Sequence, residues 1–337
     1  MKKRVALVLG GGAPNYTLMT GALLAFEEAG VQFDVISMAG GGAVVGLTYL
    51  APKGMTRTEA LYNSVNLGIS DPIYRFVPMD YKVFQKGGLA ASAFRGLLKL
   101  MPGYEKITNQ LNMTPSQKLA SDFIQMIWAI VSPSNLTLKS KGLCAHAPFI
   151  EELVDFNKLK EVKLDYYLNA YCLTDQKMAI FDKSEIDMRH FKASLSYPFI
   201  YPPYPLDDKL YIEGASRDTF NFKALLEHEP DIDTMVVFDV IGIDGLLHAP
   251  KNLWDSYGQQ MITPLVALAR ADLKLFELVH NAKYPNCKLL KVHFDLTPHD
   301  LSQALTWKRS SLDRLFRVGY EAGINFLKHH AADLNMS

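Results

Sequence analysis

The sequence predicts an α/β fold, a mostly parallel central sheet with helices on both faces and a helical insertion lying over it as a cap. Short β-branched or apolar runs at Val5–Leu9, 35–39, 166–173, 178–181, 235–241 and 288–294 alternate with longer stretches of helical period at 20–29, 43–50, 116–131, 264–281 and 310–329. That order arises when parallel strands are joined by crossover helices. Between residues 54 and 142 the strand signals vanish, and helical patterns such as 90–100 and 116–131 take over. An apolar share of 49% over 337 residues is ample for one large core. A single domain over 1–330 is therefore expected, with 54–142 inserted in it as the cap and 331–337 as a tail.

Composition narrows the function classes. Lys+Arg and Asp+Glu number 35 each, so no net field draws the chain toward nucleic acid, and any basic patch has to be local. Cys144, Cys172 and Cys287 are odd in number and widely spaced, which suits reduced thiols and a cytoplasmic setting better than a disulfide framework. Met1-Lys2-Lys3-Arg4 has the charge of a signal peptide's start, but the apolar run after it stops at Gly10, too early for a leader and right for a first strand. No run of about 18 uncharged apolar residues occurs, so no spanning helix is expected. Peripheral membrane contact stays compatible with this.

Inside the cap, 119–131 is apolar apart from Ser121, Asp122 and Gln125, which predicts a buried helix, with a greasy cover over a pocket as the alternative. The segment 90–100 sets Arg95 and Lys99 beside Phe94, Leu97, Leu98 and Leu100, a mildly basic amphipathic helix whose apolar face is expected to turn inward. Further on, Tyr197-Pro-Phe-Ile-Tyr-Pro-Pro-Tyr204 carries three prolines and four aromatics. It predicts a rigid extended loop of the kind that walls a binding site.

The chemistry gathers at two strand ends. The first strand runs into Gly10-Gly11-Gly12 just before a helix, where glycine lets backbone N–H groups turn toward one point beside an electropositive helix start. An anion or oxyanion fits such a place. A dinucleotide fingerprint is the rival reading, but Asn15 stands where its last glycine is needed, and Asp34 precedes its strand instead of following it. The second strand ends in Ser37-Met38-Ala39-Gly40-Gly41-Gly42-Ala43 and a helix of small residues. This is the outline of a nucleophile elbow, G-x-S-x-G, with Met38 for the first glycine and Gly40 for the serine. Ser37 is expected to be buried in the strand. Cys144 and His146 are too few ligands for zinc; His190 is expected to cap or pack, and His329-His330 to be a frayed end. Neither a metal nor a cofactor is expected.

Taken in order, these blocks resemble the patatin-like lipid acyl hydrolases. That family begins with strand, glycine triplet and helix and places its elbow about thirty residues on, as Gly12 and Gly40 are placed here. Its middle pattern appears as Lys141-Gly142-Leu143 with Pro148 and then Leu153-Val154-Asp155-Phe156. Its later block appears as His190-Phe-Lys-Ala-Ser-Leu-Ser-Tyr-Pro198, Tyr201-Pro-Pro203 and Leu210-Tyr-Ile-Glu-Gly-Ala215. The resemblance covers residues 4 to about 225 and is weaker beyond.

The resemblance implies a three-layer fold and a catalytic pair that works without histidine, an elbow serine and an aspartate from an Asp-Gly-Gly or Asp-Gly-Ala motif. Those positions fall on Gly40 and on Glu213, a carboxylate one methylene longer. Gly10, Gly11, Gly12 and Gly41 fall where backbone N–H groups would hold an oxyanion or substrate. Loss of such a nucleophile costs about a million-fold in rate. A family scaffold without its serine implies a non-hydrolytic protein that binds an acyl lipid or acyl thioester as a binding or regulatory subunit. Two alternatives stand beside it. One is an enzyme acting on acyl-lipid or acyl-carrier substrates through Glu213, with a raised pKa, and the glycine N–H groups. The other is an acyl hydrolase inactivated at Gly40.

Overall fold

The computed structural model describes residues 3–336. Met1 and Lys2, in the expected first segment, and Ser337, at the end of the expected tail, lie outside the described residues. The strands in chain order are β1 (Val5–Leu9), β2 (Val31–Gln32), β3 (Val35–Met38), β4 (Asp165–Cys172) and β5 (Lys177–Asp182), followed by β6 (Tyr204–Leu206), β7 (Lys209–Glu213), β8 (Thr234–Phe238), β9 (Lys288–Lys291) and β10 (Asn335–Met336). β1 lies in the middle, paired in parallel with β3 and β8; β4 adds in parallel beyond β3, and β9 beyond β8. β5 and β7 pair antiparallel with β4, and β6 with β7. The eight-stranded sheet is mostly parallel at its centre, with an antiparallel edge.

Burial explains why the central strands were legible. All five residues of β1 are buried; Val5, Leu7 and Leu9 belong to one core and Ala6 and Val8 to a second on the opposite face. A strand covered on both faces needs an unbroken apolar run, and this one has it. Helices α1 (Tyr16–Glu28) and α2 (Gly41–Leu50) follow β1 and β3. The cap region holds α3 (Arg57–Asn63), α4 (Asp71–Phe76), α5 (Leu89–Leu100), α6 (Tyr104–Thr108) and α7 (Pro115–Val131). Two single turns, α8 (Ile150–Leu153) and α9 (Phe156–Leu159), lead into β4, while α10 (Met188–Ser194) and α11 (Phe222–His228) precede and follow the β6–β7 hairpin. The chain then forms α12 (Leu253–Leu275), α13 (Asn281–Lys283), α14 (Pro298–Gln303) and α15 (Arg309–His330). Side chains of α1, α2 and α15 fill the first core, and those of α11 and α12 the second, so helices cover both faces. No helix among the described residues is long and apolar enough to cross a membrane.

Several expectations need correction. The helix expected from residue 264 begins at Leu253, because Asn252 caps it by accepting from the Asp255 N–H, and Pro264 sits inside it. His329 and His330 form the last turn of α15, where the His330 ring lies 4.7 Å from that of Phe326. The expected tail is tied back: β10 pairs antiparallel with β2, and Asn335 donates to the Lys3 carbonyl at 2.6 Å.

The largest departure is in the cap, where α7 does not turn its apolar face inward as expected and α5 does so only in part, burying Ala91 and half-burying Phe94 and Leu98. On α7, Phe123 is 53% and Ile130 58% exposed, while Asp122 is fully buried. On α5, Leu97 is 65% and Leu100 81% exposed. The cause is a polar centre on which α7 turns its hydrophilic side. Asp122 pairs with Lys82 Nζ at 2.7 Å and an Arg309 guanidinium nitrogen at 2.9 Å, and it accepts from Gln110 at 2.7 Å and the Ser70 N–H at 2.8 Å. Burial opposes its charge, but the two cations hold its carboxyl below the usual range.

Candidate active site

β3 delivers the chain to Gly40, which caps α2 with φ +48° and ψ −122°. A residue with a Cβ is strained there by about 1–3 kcal/mol; glycine is not. The turn is tight because β1 and α2 meet backbone to backbone, and a Cβ on Gly42 would collide with the Leu9 carbonyl oxygen. Met38, which stands where the elbow pattern has its first glycine, is accommodated from the helix side. Its thioether rests where a Cβ on Gly46 would be.

Glu213 ends β7 opposite Ala170 of β4. Its backbone is fixed by its N–H donating to the Ser196 carbonyl at 3.1 Å and by the Ser216 hydroxyl donating to its own carbonyl at 2.7 Å. The side chain reaches the turn. A Cβ on Gly40 would collide with Glu213 Oε1 and stand 3.0 Å from both Glu213 Cδ and Ala215 Cβ. The carboxyl therefore occupies the space that a side chain at residue 40 would need. Burial pushes its pKa up to about 8, and no cation or hydrogen-bond donor among the described residues offsets that.

The glycine loop closes the third side. A Cβ on Gly11 would lie 4.0 Å from Glu213 Oε1, and one on Gly41 would lie 3.1 Å from the Ala13 nitrogen. The structure thus brings Gly11, Gly12, Gly40, Gly41 and Glu213 together. The N–H groups of Gly11, Gly12 and Gly41 donate to no acceptor among the described residues. Gly10 departs from the expectation: its N–H is engaged by the Phe238 carbonyl at 3.4 Å, so it continues the sheet ladder instead of facing the site. Asn15 is fully buried, donates to the Val240 carbonyl at 3.2 Å and accepts from the Leu305 N–H at 3.1 Å. It fastens the loop, which accounts for a polar residue where a dinucleotide fingerprint has glycine.

The segment after α10, expected to be extended, instead turns at 198–200, with Phe199 at φ +73° and the Tyr201 N–H donating to the Tyr197 carbonyl at 2.9 Å, and it flanks this centre. Burial raises the Tyr197 phenol to about 12 and the Tyr201 phenol well beyond its ordinary value, with the Glu213 charge adding to both, so both rings lie within electrostatic reach of the carboxyl. The segment returning from the cap runs alongside, with Leu143 N–H donating to the Phe199 carbonyl at 3.0 Å and Cys144 N–H to the Ile200 carbonyl at 2.8 Å. Gly142 is required here, since a Cβ would collide with the Pro202 nitrogen. Two motifs far apart in the sequence are thereby hydrogen bonded side by side. His146 contacts the Pro202 carbonyl at 2.8 Å and Cys144 is a free thiol raised to about 11 by burial, so neither shows the geometry of a metal ligand. Ser37 is fully buried in β3, and His190 packs against the Asp187 cap of α10. Tyr197 and Tyr201 were visible in the sequence only as parts of a rigid loop, and no sequence signal linked them to Glu213.

A strand-to-helix turn lined by glycine, a carboxylate from a neighbouring strand and unclaimed backbone N–H groups make up the layout of an α/β acyl-hydrolase site, here without a serine at the turn. Residues 7–226 match the patatin-like phospholipase family, and the chain belongs to it. It is 21% identical over 346 residues to a lysophospholipase nte1 of Aspergillus niger, and 21% identical over 345 residues to that of Aspergillus oryzae. Each alignment takes in 97% of this chain but 18% of the relative, so the chain spans less than a fifth of these proteins. A crystal structure of VipD from Legionella pneumophila aligns over 98% of this chain and 67% of its own, at 13% identity and a TM-score of 0.43.

Proposed function

We propose that the chain is a patatin-like protein that keeps an acyl-lipid or acyl-thioester cleft but hydrolyses nothing, and acts by binding. One observation carries this reading: at the turn where the family's serine would stand, Gly40 has no side chain, and the Glu213 carboxyl fills the space a side chain would take. Without an oxygen there, no acyl-enzyme can form. The interlock of Glu213 with Gly40, and of Met38 with Gly46, supports mutual adjustment and speaks against a single late inactivation at Gly40. An acyl carbonyl can still be held by the Gly11 and Gly12 N–H groups of the loop after β1 and the Gly41 N–H at the start of α2. The test is thermal stabilisation by a lysophospholipid or acyl thioester without release of product. A burst of p-nitrophenol from a short ester, abolished by Glu213→Gln, would overturn it.

A second reading rests on the carboxyl itself. With a pKa near 8, Glu213 is poised to take a proton from water or from the carbon beside a carbonyl held by the glycine N–H groups. That version requires turnover that rises with ionisation of Glu213 and disappears in Glu213→Gln. Turnover unchanged in that variant eliminates it.

A further inference from the structure

α7 is built inside out. Leu119, Phe123, Ile127 and Ile130 recur at helical spacing along one face, and all are exposed, while the face carrying Ser121 and Asp122 is buried. Such a helix in water ordinarily has the reverse arrangement. The inversion is held in place, since Asp122 is clamped inward by Lys82 and Arg309. The apolar stripe is thereby fixed pointing outward. α5 is not inverted, since Ala91 is buried and Phe94 and Leu98 are half-buried, but it also leaves Leu97 and Leu100 exposed on its outer side. The two helices adjoin: Lys86, just before α5, donates to the Ile130 carbonyl at 3.0 Å and the Ser132 carbonyl at 2.8 Å, and Arg95 of α5 donates to the Lys86 carbonyl at 2.7 Å. Tyr104 stacks on Trp128 with ring centroids 5.8 Å apart, joining α6 to α7.

Charge singles out the same surface. Residues 81–141 contain Lys82, Lys86, Arg95, Lys99, Lys106, Lys118, Lys139 and Lys141 against only Glu105 and Asp122, in a chain whose charges cancel as a whole. Asp122 and Lys82 are buried against each other and so leave the surface together, and Lys99 pairs with Glu152 at 3.2 Å. Lys106, Lys139 and Lys141 make no ion pair with any of the described residues. Leu138, between the last two of these lysines and α7, is fully exposed.

We infer that the outer face of α5 and α7, with the lysine-bearing loop after α7, docks the protein onto an anionic phospholipid bilayer. Apolar side chains enter the acyl boundary, and the surrounding lysines face the headgroups. A protein partner would need no excess of one charge sign, whereas an anionic bilayer requires cations and apolar side chains on one face. The docked surface is tied to the candidate site, because the segment returning from the cap is hydrogen bonded to residues 199 and 200, between Tyr197 and Tyr201. The inference does not depend on whether the cleft binds or hydrolyses.

The test is flotation of the whole protein with vesicles of phosphatidylcholine alone and of phosphatidylcholine with phosphatidylserine, at low and high salt. Binding is expected on the anionic vesicles, weakening as salt rises. Ile127→Ser with Ile130→Ser, and separately Lys139→Glu with Lys141→Glu, should each weaken it about tenfold or more while leaving the melting temperature unchanged. Circular dichroism melting confirms that the variants remain folded. Failure of the wild type to bind, binding that both variants retain, or a concentration-dependent dimer abolished by Ile127→Ser with Ile130→Ser would overturn the inference.

Discussion

The contact between Gly40 and Glu213 makes a quantitative prediction. In Gly40→Ser the new Cβ meets Glu213 Oε1 and comes within 3.0 Å of Glu213 Cδ and Ala215 Cβ, at a backbone φ of +48°. Backbone strain contributes about 1–3 kcal/mol. Displacing the carboxyl against Ala215 adds on the order of 1 kcal/mol or more. Gly40→Ser should therefore lose about 2–4 kcal/mol, read as a lower midpoint in urea with an unchanged slope. Glu213→Asp withdraws the carboxyl by one methylene and empties that space. In the double variant the loss should fall by at least about 1 kcal/mol below the sum of the single losses, the coupling expected of residues in contact. The double variant also sets a hydroxyl beside a shorter carboxylate, and it should hydrolyse p-nitrophenyl butyrate faster than the wild type or either single variant. Strictly additive stability changes would refute the idea that the Glu213 carboxyl fills the position of a residue 40 side chain.

Three further outcomes rest on the same geometry. Glu213 ionises near pH 8 when folded and near 4.5 when unfolded, so its stabilising contribution is complete below about pH 4.5 and is lost as pH rises through 8. Glu213→Gln should remove that loss, leaving the variant more stable than wild type at pH 9 by about 2–4 kcal/mol in parallel urea titrations, whereas an identical pH dependence would show a solvated carboxyl. Asp122→Ala leaves the Lys82 and Arg309 charges buried without their partner and should cost about 3–5 kcal/mol, with proteolysis between residues 80 and 141 appearing first; retention of wild-type protease resistance would contradict the clamp. Gly42→Ala forces a Cβ into the Leu9 carbonyl and should cost about 3 kcal/mol or more, while Gly96→Ala in α5, with open space around it, should gain about 0.5–1 kcal/mol. Equal melting temperatures for the two would show that the turn is looser than described.

The sequence was most readable where burial is complete on both sides of the sheet. β1 and β3 appear as short apolar runs because every residue in them is buried. The β6–β7 hairpin was missed, although Asp207 and Asp208 form its two-residue turn at φ +48° and +60°. Pro205 is disfavoured inside a sheet, but β6 is the sheet's edge, where proline is tolerated. The outward face of α7 was not legible, because an apolar run looks the same whether its polar residues face solvent or face buried cations. Arg309, which decides the matter, lies 187 residues beyond Asp122. At the candidate site the motifs located Gly40 and Glu213, but not the reach of one into the space of the other. Gly10 was misassigned because the triplet alone does not reveal which of its three N–H groups continues the ladder.

The central claim is that the cleft holds an acyl chain without cleaving it. The direct measurement is to incubate the protein with lysophosphatidylcholine carrying a labelled acyl chain, separate bound from free, and identify the bound label by mass spectrometry after denaturation. Intact lysophospholipid bound to the protein, with no labelled fatty acid released, is the predicted result; labelled fatty acid that accumulates with time and vanishes in Glu213→Gln would contradict it.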